Sequence, residues 1–306
     1  YQAGPLIRIQ YMENPEVSGD SEIILTFHHA IVDGRSGIYF LNTLLTYCAE
    51  SPVLEKGKPG ISSLVLPEPA EFFFPKSHRG IRGKMKMAGF IFRMFWDEFT
   101  FAVKTMFSRK MPIYQNGTGK ILSVEFSEVE TKQLMKLARR KRLSLNSLIN
   151  AATLIAIQRK LYHGRGRPFR FISITDLRPF LVPPVSDKNQ GSYYTMLRHT
   201  VNLKADEKLF NLAKRIQMIV YNSFKRGDKF CAYKLSASMM KALLKLRKFR
   251  MSDVAVNYLG MVMLKDTYGP MRIRDLNVYT SNFVIGPEYT LQSRVFNGRL
   301  YLDSLY

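Results

Sequence analysis

The run HHAIVDG sets His28, His29, Asp33 and Gly34 within seven residues of a chain that holds only five histidines. An imidazole titrates near pH 6.5, so at pH 7 it is mostly neutral and can accept a proton from an attacking hydroxyl or amine. Neighbouring side chains of a strand point to opposite faces, so His28 and His29 cannot share one role, and one can face a cavity while the other packs. Asp33 lies four residues beyond His29, where it can order a turn through an ion pair or backbone hydrogen bonds. Gly34 lets the chain bend closely around such a site. The bland alternative is a pair of satisfied histidines beside an ordinary Asp-Gly turn, and four specified positions together weigh against it. A metal site is not expected, because adjacent histidines on opposite faces chelate one ion poorly and no Cys or Glu supplies the remaining ligands.

The elements around this run read as strand, tight loop and helix. Residues 22–29, EIILTFHH, have the apolar, β-branched character of a buried strand with the histidines at its end. In GIYFLNTLLTYCAE, Ile38, Leu41, Leu45 and Cys48 recur at helical spacing, with Ser36 as the expected N-cap. Residues 51–80 are rich in Pro, Gly and Ser and read as a linker. Helical character resumes over 82–109, and PIYQNGTGK breaks it. Beyond the break come a strand in KILSVEFS, an amphipathic helix in SEVETKQLMKLARRKR, and a largely buried helix in SLNSLINAATLIAIQRKLY capped by Ser144 or Asn146. A strand follows in PFRFISITDLRPF, with helices expected over 206–224 and 232–249. VAVNYLG, RIRDLNVYTSNFVIG, YTLQSRVF and RLYLDSLY read as further strands. The alternation marks a mixed α/β protein (mixed α+β), divided near residue 111 into an N-terminal unit, 1–111, and a C-terminal unit, 112–306.

With 306 residues and 46% hydrophobic composition, the chain is long enough for one large core or two packed subdomains. No apolar run approaches the roughly 20 residues of a membrane span. No secretion signal is visible, and the two cysteines, Cys48 and Cys231, lack CxxC spacing, which speaks against a disulfide framework and fits a reducing cytoplasm. The net charge of +22 is unevenly spread: residues 1–70 hold four Lys/Arg and eight Asp/Glu, residues 71–306 hold 42 and 16. The positive later part calls for anionic partners, among them phosphate-bearing cofactors, acidic carrier proteins, anionic lipid and nucleic acid. Nucleic acid ranks last, because the cations are interleaved through amphipathic helices without a recognition motif. Between Lys76 and Lys110 stand nine Lys/Arg and two acids among many aromatics and methionines. Such a segment suits either peripheral contact with an anionic membrane or a core helix clamped between subdomains with its charges solvated.

On its HHxxxDG motif the sequence resembles the chloramphenicol acetyltransferase-like superfamily, which includes nonribosomal peptide condensation domains, plant alcohol acyltransferases and the polyketide-associated acyltransferases of mycobacterial lipid assembly. GPLIRIQY before the motif and SLNSLINAATLIAIQRKL after it extend the resemblance over most of the chain. ISITDLRPFLVPP, NYLG and TSNFVIGPEYTLQSRVFNGRLYLDSLY look most like the lipid-type branch. The resemblance implies two chloramphenicol acetyltransferase-like αβ subdomains around a central tunnel, with His29 as base and Asp33 structural. Only 27 residues precede His28, so the N-terminal subdomain is expected to be incomplete in this chain.

By the same resemblance the reaction is direct acyl transfer from a thioester, acyl-CoA or acyl carrier protein, to a hydroxyl or amine of a lipophilic or natural-product acceptor. There is no acyl-enzyme, and no cofactor is bound permanently; coenzyme A or phosphopantetheine arrives as part of the co-substrate. Gly34 N–H is a candidate donor to the oxyanion. Arg178 in DLRP is a candidate partner for Asp33, as condensation-type domains hold their motif aspartate with an arginine, the alternative being a solvated surface side chain. Asn257, Ser281 and Asn282 are candidate tunnel-lining residues, although Asn257 also suits a turn at a strand end. Two other functions stay open: an amide-forming condensation domain, and a catalytically idle homologue acting as a binding module.

Overall fold

The structure is a computed structural model, and it describes residues 4–17, 19–50, 68–106, 120–246, 251–280 and 286–305. The chain opens with a hairpin of β1 (Ile7–Glu13) and β2 (Ser21–Phe27), antiparallel with Ile7 opposite Phe27. It continues through α1 (Gly34–Glu50) and α2 (Gly80–Thr105) to β3 (Ile121–Phe126), α3 (Glu128–Arg140) and α4 (Leu145–Leu161). Then follow β4 (Arg167–Asp176), β5 (Tyr194–Leu203), α5 (Leu209–Arg226), α6 (Asp228–Leu246) and β6 (Val254–Met261). The short pair β7 (Thr267–Tyr268) and β8 (Met271–Arg272) precedes β9 (Tyr289–Phe296) and β10 (Arg299–Leu305).

Six strands form one mixed sheet in the order β3-β10-β9-β6-β4-β5, in which β6 runs parallel to both β4 and β9. One face is dry. Phe169 and Phe171 of β4, Val201 of β5 and Val254 and Val256 of β6 pack there against Leu154 of α4 and Leu212 and Ile216 of α5. Local signals set the helix ends. Ser127 and Glu130 form a reciprocal capping box at α3, Ser144 accepts the Ser147 N–H at the start of α4, and Gly227 closes α5 in a left-handed conformation.

The opposite face holds α1 and α2. Ile38 and Leu41 of α1 pack on Phe296, Tyr301 and Leu276, beside a buried ion pair of Arg294 with Asp303. Residues 70–78, expected as linker, instead form two short 3-10 turns, and Ala70 and Phe74 are buried against Leu181, Tyr193 and Phe230. The apolar side chains of FFF outweigh the flanking prolines. The remainder of that expected linker, 51–67, lies outside the described residues, as does most of the expected break at 112–120.

Three other expectations are corrected. The strand before the motif ends at Phe27, so His28 and His29 occupy the turn that follows; it pairs only with β1 and stays half-exposed rather than buried. The described part of RIRDLNVYTSNFVIG is not one long strand: of residues 272–280 only Arg272 pairs, as the end of β8, and residues 273–280 run irregularly over Phe296 and Tyr301, held by burial of Leu276, while residues 281–285 lie outside the described residues. Helix α1 is capped by Asp33, not Ser36, since the Asp33 carboxylate accepts the Ser36 N–H at 2.8 Å. Of the cysteines, Cys231 is buried and Cys48 exposed.

Candidate active site

The loop between β2 and α1 is closed on itself. His28 N–H donates to the Leu6 carbonyl at 2.8 Å, adding a rung to the hairpin, and Ile31 N–H returns to the His28 carbonyl at 3.0 Å. His28 Nδ1 accepts the Ala30 N–H at 3.3 Å. His29 Nδ1 lies 2.8 Å from the Val32 carbonyl oxygen. A carbonyl only accepts, so Nδ1 carries the hydrogen, and the neutral ring then has its lone pair on Nε2. The His29 ring stacks on Tyr194, the first residue of β5, with centroids 5.0 Å apart and planes 8° from parallel. Burial, and then the Asp33 charge, push the Tyr194 phenol up, so it presents a neutral aromatic face.

Asp33 is 5% exposed and Arg178 2%. The Asp33 carboxylate accepts Arg178 Nη1 at 2.8 Å and Nη2 at 3.3 Å, a two-pronged contact, and the Tyr193 N–H at 2.9 Å. Arg178 Nη2 also donates to Ser36 Oγ at 2.7 Å, and Ser36 Oγ donates to the Gly191 carbonyl at 3.0 Å. Asp176 continues the chain of charges, 3.2 Å from Arg178 and 2.9 Å from the exposed Arg35. A buried carboxylate and guanidinium are costly to remove from water. Here the Tyr193 and Ser36 N–H groups and the Ser36 hydroxyl satisfy most of their hydrogen-bonding positions, leaving Arg178 Nε without a partner among the described residues. The network ties the motif loop to the start of β5, the strand that supplies Tyr194.

Gly34 opens α1. A Cβ built there would sit 2.8 Å from Leu259 Cδ2, so glycine here accommodates the Leu259 side chain of β6 rather than a left-handed turn, and a larger residue would need that side chain or the loop to move. Asn257 is not at a turn: it lies within β6, paired with Gln292, on the opposite side of the strand from Val256 of the core. Ser281 and Asn282 lie outside the described residues. The structure thus gathers His28, His29, Asp33, Gly34 and Arg178. Asp176, Tyr193 and Tyr194 complete the arrangement without having been singled out, together with Ser36, which was expected only as a helix cap. Asp176 shares the DLRP peptide with Arg178, which was a usable signal; Tyr194 reaches His29 from a distant strand and left none.

The other histidines differ. His78 is held at about 4 by burial and then by Lys86 and Lys229, and His199 at about 4 by burial. His163 sits in an exposed turn with a left-handed backbone. Only the motif pair joins exposure to a fixed ring. A surface cavity of about 580 Å³ is lined by Lys204, Glu207, Lys208 and Lys214 among others, none of them part of the motif loop.

Residues 116–262, just under half of the chain, match the family described as phthiocerol/phthiodiolone dimycocerosyl transferase C-terminus. Among solved structures, polyketide synthase associated protein 5 from Mycobacterium tuberculosis aligns with 100% of this chain and 73% of its own, at TM-score 0.64 and 17% identity. The trichothecene 15-O-acetyltransferase from Fusarium sporotrichioides aligns with 99% of this chain and 66% of its own, at TM-score 0.72 and 15% identity. The fold is that of the chloramphenicol acetyltransferase-like superfamily. The first condensation domain of the calcium-dependent antibiotic synthetase shares it, at TM-score 0.60 and 12% identity over 98% of this chain and 61% of that one. At these identities the likeness establishes the superfamily fold, and the chain spans roughly two thirds of the length of those three proteins. No curated protein matches the chain by sequence.

Proposed function

We propose that this chain carries the general base of an acyltransferase that moves an acyl group from a thioester to a hydroxyl or amine of a lipophilic or natural-product acceptor. The observation that carries the proposal is His29: its Nδ1 faces the Val32 carbonyl at 2.8 Å and its ring is stacked on Tyr194, which leaves Nε2 as an oriented acceptor. In the proposed step, Nε2 takes the acceptor's proton as its oxygen or nitrogen attacks the thioester carbonyl. The tetrahedral intermediate then collapses, the carbon–sulfur bond breaks, and the departing thiolate takes the proton back from the imidazolium. Products are an ester or amide and a free thiol, with no acyl-enzyme. Gly34 N–H, in the first turn of α1, is the proposed donor to the oxyanion, aided by the positive end of the helix.

Asp33 and Arg178 serve in this proposal as positioning residues: they fix the loop that sets the His29 ring. Support for the substrate class comes from the family matched by residues 116–262 and from the acetyltransferase activity of the trichothecene 15-O-acetyltransferase that shares the fold. Donor identity, coenzyme A or carrier protein, and the central tunnel belong to the same proposal. The test is thiol release from long- and short-chain acyl-CoA and acyl carrier protein, with alcohol and amine acceptors supplied separately. Acceptor-dependent thiol release with equimolar ester or amide supports it. Absence of acceptor-dependent release across the panel, from protein that melts cooperatively, rejects it.

A further inference from the structure

Helix α2 is built inside out. Its 26 residues span about 39 Å at 1.5 Å per residue, and none is buried. Both of its acids face the sheet: Asp97 accepts the Thr200 hydroxyl at 2.9 Å, and Glu98 accepts Arg170 at 2.7 Å and Arg198. On the side opposite these acids the exposed side chains are mainly apolar. Ile81, Met85, Phe92, Phe95, Phe99 and Met106 follow one another at spacings of three, four or seven residues, one continuous stripe, and Trp96 beside them is 60% exposed. At 100° per residue Arg82 falls along one border of the stripe, beyond Trp96, and Lys84 along the other, both exposed.

We propose that this face of α2 docks on an anionic lipid surface, with the helix lying in the headgroup plane. The charge pattern selects that occupant. With both acids engaged by the sheet, the outward face offers apolar bulk bordered by cations alone, which complements negative headgroups above acyl chains. A second copy of the chain would set the same cationic borders against each other with no acid on the face to pair them. The helix does not span: none of the described helices is long and apolar enough to cross a membrane. The docking does not depend on the proposed acyl transfer.

The chain's single tryptophan lies on the stripe and reports its surroundings. The experiment titrates the full chain with phosphatidylcholine vesicles containing phosphatidylglycerol, and with phosphatidylcholine alone, following Trp96 emission and co-sedimentation. Expected are a blue shift and binding to the anionic vesicles that weakens with salt. Phe92→Ser with Phe99→Ser should weaken binding on the order of a hundredfold. Arg82→Glu with Lys84→Glu should do at least as much, with the melting temperature of each variant near wild type. Four outcomes overturn the proposal: no binding at low salt; equal binding to both vesicle types; a lipid-free dimer that shields Trp96; or a lipid-free monomer in which Trp96 is already shielded from a soluble quencher by the chain's own segments.

Discussion

The Asp33 carboxylate and the Arg178 guanidinium are 145 positions apart in sequence and 2.8 Å apart in space, both almost wholly withdrawn from solvent. Their pairing joins the loop that carries His29 to the turn after β4. Removing one partner strands the other charge in the interior, so Asp33→Ala should lower stability by about 3–5 kcal/mol. Arg178→Ala should cost a similar amount, and the double variant much less than the sum. Denaturant titration of the four proteins measures the coupling; additive losses would mean that the two side chains do not depend on each other.

His29 and His28 should separate cleanly. His29→Ala is expected to lower acceptor-dependent thiol release by about 10²- to 10⁴-fold with the melting temperature nearly unchanged, since the ring is exposed and its bond is to one carbonyl. His28→Ala should cost activity only modestly, through the turn that His28 Nδ1 holds by accepting the Ala30 N–H. Tyr194→Phe keeps the stacked ring and should retain most of the rate, whereas Tyr194→Ala frees the imidazole and should lose about tenfold or more. Steady-state kinetics with circular-dichroism controls decide the order; a fast His29→Ala protein excludes the mechanism.

The sequence made Asp33, Arg178 and His29 legible because a short motif and the DLRP peptide each confine chemistry to a few positions. It also showed α4 and the central strands of the sheet, where apolar periodicity has one reading. Tyr194 was invisible, because a stacking contact between residues 165 positions apart has no local trace. The half-exposure of β2 escaped for a related reason: an apolar run states that burial is favourable, not what is there to bury it. Helix α2 shows the same gap in sharper form. Its aromatic content suits a helix in a core, yet which face turns inward is decided by Arg170, Arg198 and Thr200 on β4 and β5. For 273–280, β-like composition yielded to the requirement that Leu276 cover Phe296 and Tyr301.

Stability should fall with acid through a buried histidine. His199 hydrogen-bonds Ser173 Oγ at 3.0 Å, and burial lowers its pKa from 6.5 to about 4. Above pH 6.5 the ring is neutral in folded and unfolded chains alike, and its contribution is fully present. As pH falls from 6.5 towards 4 the unfolded chain binds a proton that the folded chain refuses, so stability declines through that window, by about 3 kcal/mol at its lower end. His78, lowered for the same first reason, acts in the same direction. His199→Gln should flatten the acid limb of the melting-temperature profile between pH 6.5 and 4; an unchanged limb would assign the decline to other groups.

Gly34 and Leu259 offer the finest test of the site. The glycine begins α1 without a left-handed backbone, so alanine there meets no dihedral penalty and even gains helix propensity. Its methyl would nevertheless lie 2.8 Å from Leu259 Cδ2, closer than carbon atoms pack, so either Leu259 turns aside or the loop from His29 to Gly34 shifts. Displacement of a fraction of an ångström at a proton-transferring ring is costly to the rate and cheap to the fold. Gly34→Ala should therefore reduce kcat by about tenfold or more while moving stability by about 1 kcal/mol or less. Leu259→Ala opens the space the methyl needs, so the double variant should recover most of the lost kcat although Leu259→Ala alone brings no gain. Recovery identifies steric displacement as the cause. A double variant as slow as Gly34→Ala would show instead that the Leu259 contact does not control the loop.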